Sequence, residues 1–182
     1  VVELKDCSSE ASRAYDVFTR RGLNSAQAAG IIGNLQFESS LNPRLEVMDT
    51  NGRLSRGIAM WQPPRWQNLL TFAAGRDPWS LDIQLEFLLY ELEAYPELGL
   101  RDLLSATSVS EAAVAFQNKF ERCDPMLCHT DRRISLANNA LSCLSVSPPT
   151  GSARLNVVGA SIGLLSLVAA AGYGAYKALD FR

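Results

Sequence analysis

The chain has little to offer a polyanion. Its 182 residues carry 17 lysines and arginines against 19 acidic residues, a formal charge of −2, and no basic run. Broad electrostatic attraction to nucleic acid or to anionic lipid is therefore excluded, and no nucleic-acid partner is expected. Histidine occurs once, at His129, so a Ser-His-Asp hydrolase has no base unless that residue serves. Cysteine–histidine catalysis also lacks any mark of an activated thiol. Period-two alternation and internal repeats are both missing, which argues against a sheet-built domain or a solenoid. What is present is a globular composition, 47% hydrophobic and 20% charged, on a length that suits one domain with a modest appendage.

The appendage is visible at the C-terminal side. Residues 155–176, LNVVGASIGLLSLVAAAGYGAY, hold no charge and would span about 33 Å as a helix. That is enough to cross a hydrocarbon core of roughly 30 Å, and Tyr173 and Tyr176 suit an interface. Residues 145–154, SVSPPTGSAR, have the composition of a linker. The expected organisation is a domain over 1–144, a linker over 145–154, a transmembrane helix over 155–176 and a short tail over 177–182. A lipid bilayer is the partner this implies, with a single-pass C-terminal anchor.

Helix signals dominate the first 144 residues. Ser9 is placed to cap a helix ending before Gly22, with Tyr15 and Phe18 inside. Asn24 with Gln27 forms a capping-box pattern opening a second helix that runs to about Ser39. A polar stretch from Arg44 to Arg56 reads as a short hairpin or an irregular loop. Pro63 and Pro64 open a helix to Ala74, and Asp77-Pro78 a longer one closing before Pro96. Ser108 with Glu111 is another capping box, and a last helix covers about Asp131 to Cys143. The fold expected is all-α.

One carboxylate is out of place. Ala28, Ile31 and Leu35 form an apolar face on the second helix, and Glu38 follows on the same stripe. A carboxylate desolvated there would be kept protonated, as a general acid for a glycosidic oxygen must be. Around it the sequence reads GNLQFESSLNP, followed by GIAMWQPPRW at 57–66. These segments resemble the phage tail lysozyme family, relatives of goose-type lysozymes and lytic transglycosylases. Gln84, Phe87 and Glu91, the pair Phe120-Glu121, and Arg132-Arg133 with Ala137 agree with that resemblance, which covers about residues 10 to 144.

The resemblance implies a lysozyme-like helical domain acting on peptidoglycan glycan strands, with Glu38 as catalytic acid. It implies a cleft lined by Gly57 and Gln62. Trp61 and Trp66 are candidates to stack on sugar rings, with core packing the competing role, and Arg65 is expected to pair with a carboxylate. Inverting hydrolysis needs a second carboxylate to activate water. Asp49, in a turn, is favoured for this role over Glu46. Without either, transglycosylase chemistry would proceed on Glu38 alone. No cofactor is expected.

Four cysteines remain. Cys7 and Cys143 bracket the domain and Cys123 and Cys128 flank a short loop, so the expected pairs are Cys7–Cys143 and Cys123–Cys128. Zinc held by Cys123, Cys128, His129 and either remaining cysteine is the rival, disfavoured because adjacent Cys128 and His129 seldom share one ion; no metal is expected. Joined to a membrane helix, the domain reads as a virion-associated peptidoglycan hydrolase. The alternative is a catalytically silent scaffold tying a viral membrane to capsid proteins.

Overall fold

A computed structural model describes residues 7–48 and 52–144, all within the unit Val1–Pro148. The expected linker, membrane helix and tail lie outside the described residues, as does Asp49. Among the described residues no helix is long and apolar enough to cross a membrane.

Helix α1 spans Ser9–Arg20 and buries Ala11, Ala14 and Phe18. Its cap is Ser8, one residue before the serine expected, whose Oγ accepts from the Ala11 amide at 3.1 Å. Tyr15 is only half-buried, its hydroxyl donating to Ser25 Oγ.

Helix α2, Ser25–Ser39, opens with the expected reciprocal capping box between Asn24 and Gln27. It is buried on every side from Gln27 to Leu35, so it is the central element rather than an amphipathic surface helix. Small residues allow this. A Cβ on Gly30 would lie 2.6 Å from that of Ala112, and one on Gly33 would strike the Ala137 backbone. The two contacts seat α2 against α6 and α7.

The polar stretch after α2 is a hairpin. Strand β1, Glu46–Met48, pairs antiparallel with β2, Leu54–Arg56, Glu46 facing Arg56. This ribbon is the one departure from an all-helical domain among the described residues. Its opposed charges bond at 2.6 Å, a cross-strand pair that helps set the register.

Five further α-helices follow. Helix α3 spans Pro63–Ala73, and α4 spans Leu81–Ala94, beginning beyond Asp77-Pro78 because Asp77 instead caps a turn at Trp79. A 3₁₀ turn at Pro96–Leu98 leads into α5, Leu100–Ser105. Helix α6, Val109–Phe116, carries the expected Ser108–Glu111 capping box and runs directly into a π-helical turn, Gln117–Glu121. Helix α7, Thr130–Leu144, closes the domain.

The core gathers Phe18, Ile31, Leu35, Trp61, Phe87 and Phe116 around α2. Both expected disulfides are present. Cys7–Cys143 joins the start of the described chain to the end of α7, and Cys123–Cys128 closes the loop before α7.

Candidate active site

The last turn of α2 carries Glu38 and is pinned in place. Ser39 Oγ donates to the Ile58 carbonyl at 2.8 Å, tying α2 to the segment that follows the hairpin. The Glu38 side chain keeps 19% of its surface exposed. Its Oε1 accepts from Arg133 Nη2 at 2.5 Å. Oε2 has no hydrogen-bond partner among the described residues.

Arg133 is a buried cation, and each of its three nitrogens donates a hydrogen bond. Nε donates to the Cys128 carbonyl at 2.7 Å and Nη1 to Asn34 Oδ1 at 3.0 Å, while the guanidinium lies 4.2 Å from the Phe37 ring centre. Asn34, itself fully buried, donates to the Gly30 and Ala113 carbonyls. One asparagine thus locks α2, α6 and α7 around the arginine. The apolar surroundings expected for Glu38 are corrected here to an ion pair. The stripe reading considered only neighbours on α2, and Arg133 arrives from α7, far along the chain.

A second pair lies beside the first. Glu91 on α4, 2% exposed, accepts from Arg65 Nε and Nη2 at 2.8 Å each. The expected carboxylate partner of Arg65 is therefore Glu91. Trp61 Nε1 donates to the same carboxylate at 2.8 Å, and Trp61 is wholly enclosed, edge-on to Phe87. With no open ring face it does not stack on a sugar; its work is in the core. Trp66 is 6% exposed, 4.6 Å from the Trp79 ring, and is enclosed as well.

Gly57 has φ +72°, and a Cβ there would meet Gln84 Oε1. Only glycine suits both conditions. Gln84 is buried and receives the Ile58 amide while donating to the Pro43 and Pro78 carbonyls, so it pins the loop from three sides. Gln62 is exposed at the mouth of α3, and its side chain makes no capping bond. Glu46, the lesser candidate for a second carboxylate, is occupied by Arg56.

Sequence reasoning gave no role to Glu121. Its side chain comes from the π-helical turn, and its Oε1 is shut off from solvent without a hydrogen-bond partner. Burial, then the charge of Glu38, push its carboxyl well above the usual carboxylate range, against the pull of Arg65 and Arg133. Phe120-Glu121 in an otherwise apolar helix was the available signal.

A cavity of about 490 Å³ opens on the α7 side, lined by Gln117, Asn118, Cys123, Pro125, Cys128 and Thr130. Glu38 is not among its lining residues; Cys128, which is, accepts from Arg133 through its carbonyl. The cysteines are bonded to each other, so they are not thiolate ligands and the zinc alternative falls. No curated protein matches the chain. The model of the phage tail lysozyme family matches residues 9–144, most of the chain and all of the described helices, and the chain belongs to that family.

Proposed function

We propose that the domain cleaves the β-1,4 bond between N-acetylmuramic acid and N-acetylglucosamine, with Glu38 protonating the leaving oxygen. One observation carries this reading. Glu38 has one oxygen fixed by Arg133 and the other without a hydrogen-bond partner among the described residues, on a side chain that is 19% exposed. Glu91, by contrast, is 2% exposed with both oxygens bonded inward, to Arg65 and Trp61. Arg133 fixes Oε1 and leaves Oε2 to meet the sugar. Gln62, exposed, supplies a polar contact to the glycan, and Gly57 shapes the loop that presents it.

Two chemistries share this acid. With Asp49 activating water, the reaction is inverting hydrolysis. With the muramoyl hydroxyl as nucleophile, it is a lytic transglycosylation that needs Glu38 alone. The uncharged run 155–176 would hold the activity at a membrane, in this reading that of a virion with capsid proteins as neighbours.

The test is digestion of peptidoglycan by the full chain beside Glu38→Gln, with products read by mass spectrometry. Muropeptides released by the parent and reduced about a thousandfold in the variant support the enzyme. Reducing ends mean hydrolysis, and 1,6-anhydro ends transglycosylation. A folded parent that releases nothing from several wall types leaves the scaffold linking membrane and shell.

A further inference from the structure

The cavity beside α7 is not the place where the bond is cleaved, since Glu38 does not line it. It lies one side chain away from the acid all the same. The carbonyl of Cys128, a lining residue, accepts from Arg133 Nε at 2.7 Å, and Nη2 of that guanidinium donates to Glu38 Oε1. At about 490 Å³ the cavity falls within the size range of sites that hold a small ligand.

No charged residue and no aromatic ring lines it among the described residues. The Cys123–Cys128 disulfide and Pro125 give small apolar surfaces. The polar groups are the carboxamides of Gln117 and Asn118 and the hydroxyl of Thr130. Gln117 Nε2 donates to Asn118 Oδ1 at 3.1 Å, which leaves Gln117 Oε1 without a partner on a residue only 4% exposed. Asn118 Nδ2 and Thr130 Oγ1 also make no hydrogen bond among the described residues. A buried acceptor left unpaired carries a cost that a ligand N–H recovers. Toward the acid, the Phe37 ring lies 4.2 Å from the Arg133 guanidinium, 5.6 Å from the ring of exposed His129 and 5.8 Å from the guanidinium of exposed Arg132. His129 stands in the chain between Cys128 and Thr130, so this group adjoins the cavity wall. Arg132 makes no salt bridge among the described residues.

We propose that the cavity is a subsite for the acidic peptide stem of peptidoglycan. Gln117, Asn118 and Thr130 receive its backbone amides, and Arg132 meets a stem carboxylate. The inference rests on the reading of the domain as one that acts on this polymer. A peptide bond presents an N–H and a C=O together, and a carboxamide complements both. A sugar is better served by a ring face to stack on, which this wall lacks. The stem hangs from the lactyl ether of muramic acid, the ring beside the bond that Glu38 would protonate. A few residues of extended chain, about 3.5 Å each, cover the span of one guanidinium from the acid to Cys128.

The experiment titrates the full chain with the free stem peptide, synthesised without sugar, and follows the side-chain ¹⁵N resonances of Gln117 and Asn118. Both signals should move saturably with the peptide and stay in place with an N-acetylglucosamine tetramer. Asn118→Ala, at an exposed position, should weaken peptide binding about three- to tenfold, read on Gln117. Arg132→Gln should weaken it about threefold at low salt, with the difference closing as salt rises. On peptidoglycan, both variants should raise KM more than they lower kcat. Signals unmoved by the peptide overturn the proposal. Signals moved equally by the sugar overturn it too, because the cavity would then be a glycan subsite. So does a peptide affinity in either variant equal to that of the parent. A parent that degrades no wall fails as an enzyme by itself; the titration needs no turnover and still decides the subsite.

Discussion

Two arginine–carboxylate pairs sit side by side in this domain, built from the same parts and put to different uses. Each arginine lies over a phenylalanine, Arg65 at 4.4 Å from Phe120 and Arg133 at 4.2 Å from Phe37. In the Arg65–Glu91 pair the carboxylate is 2% exposed and all its bonds point inward, to Arg65 and Trp61. In the Arg133–Glu38 pair the cation is the more buried partner, 3% exposed against 19% for the acid. Burial has been reversed between anion and cation. A pair closed around its carboxylate can only hold elements together; a pair closed around its arginine presents a carboxylate to whatever enters.

Breaking the closed pair should have the largest effect on stability. Glu91→Gln leaves Arg65 uncompensated and Trp61 with a weaker acceptor, and is expected to cost about 4 kcal/mol in denaturant unfolding. Arg133→Lys tests the other side. A point charge cannot serve Cys128, Asn34 and Glu38 together, so a loss of about 2 kcal/mol is expected from the buried acceptors left short. Turnover per folded molecule should also fall, by about tenfold or more, since Glu38 loses its fixed partner. A third change reaches the α2–α7 seat of the Arg133–Glu38 pair: Gly33→Ala forces α2 away from the Ala137 backbone and should cost about 1–2 kcal/mol, read from the same unfolding curves.

The smallest effect is the one that depends on pH. The folded state holds the Glu121 carboxyl above its unfolded value, so the folded protein binds the extra proton through that window. Stability then falls as pH rises from the usual carboxylate range toward the raised value. Glu121→Gln removes the dependence. Its Tm should match the parent in acid and exceed it progressively as pH rises, measured by calorimetry across the range. A constant difference at all pH values would mean that packing, not ionisation, separates the two.

Much of the scaffold was legible in the sequence. The capping boxes at Asn24–Gln27 and Ser108–Glu111 are local, and they place the starts of α2 and α6 where they are. The brackets of cysteine named the two disulfides for a similar reason, since chain ends and a short loop leave few geometries. Glu38 was legible as a residue and not as an environment. Its partner lies on another helix, and helical periodicity carries no information about that. Trp61 and Trp66 were weighed between sugar platforms and core, and the enclosure that decides the matter is assembled from α3, α4 and the loop together. Glu121 was legible as half of the Phe120-Glu121 pair, but not the enclosure of its Oε1, which depends on the π-helical turn after α6. The hairpin was left open between ribbon and loop, and Asp49 at its tip lies outside the described residues.

The most direct measurement is turnover per folded molecule for Glu38→Gln and Glu91→Gln, made side by side with the folded fraction of each determined in the same preparation. The account expects Glu38→Gln to keep its fold and lose about a thousandfold in rate, while Glu91→Gln loses stability and retains most of its rate per folded molecule. If the two variants lost rate equally, or if Glu38→Gln retained the parent's rate, the division of labour between the two pairs would be contradicted.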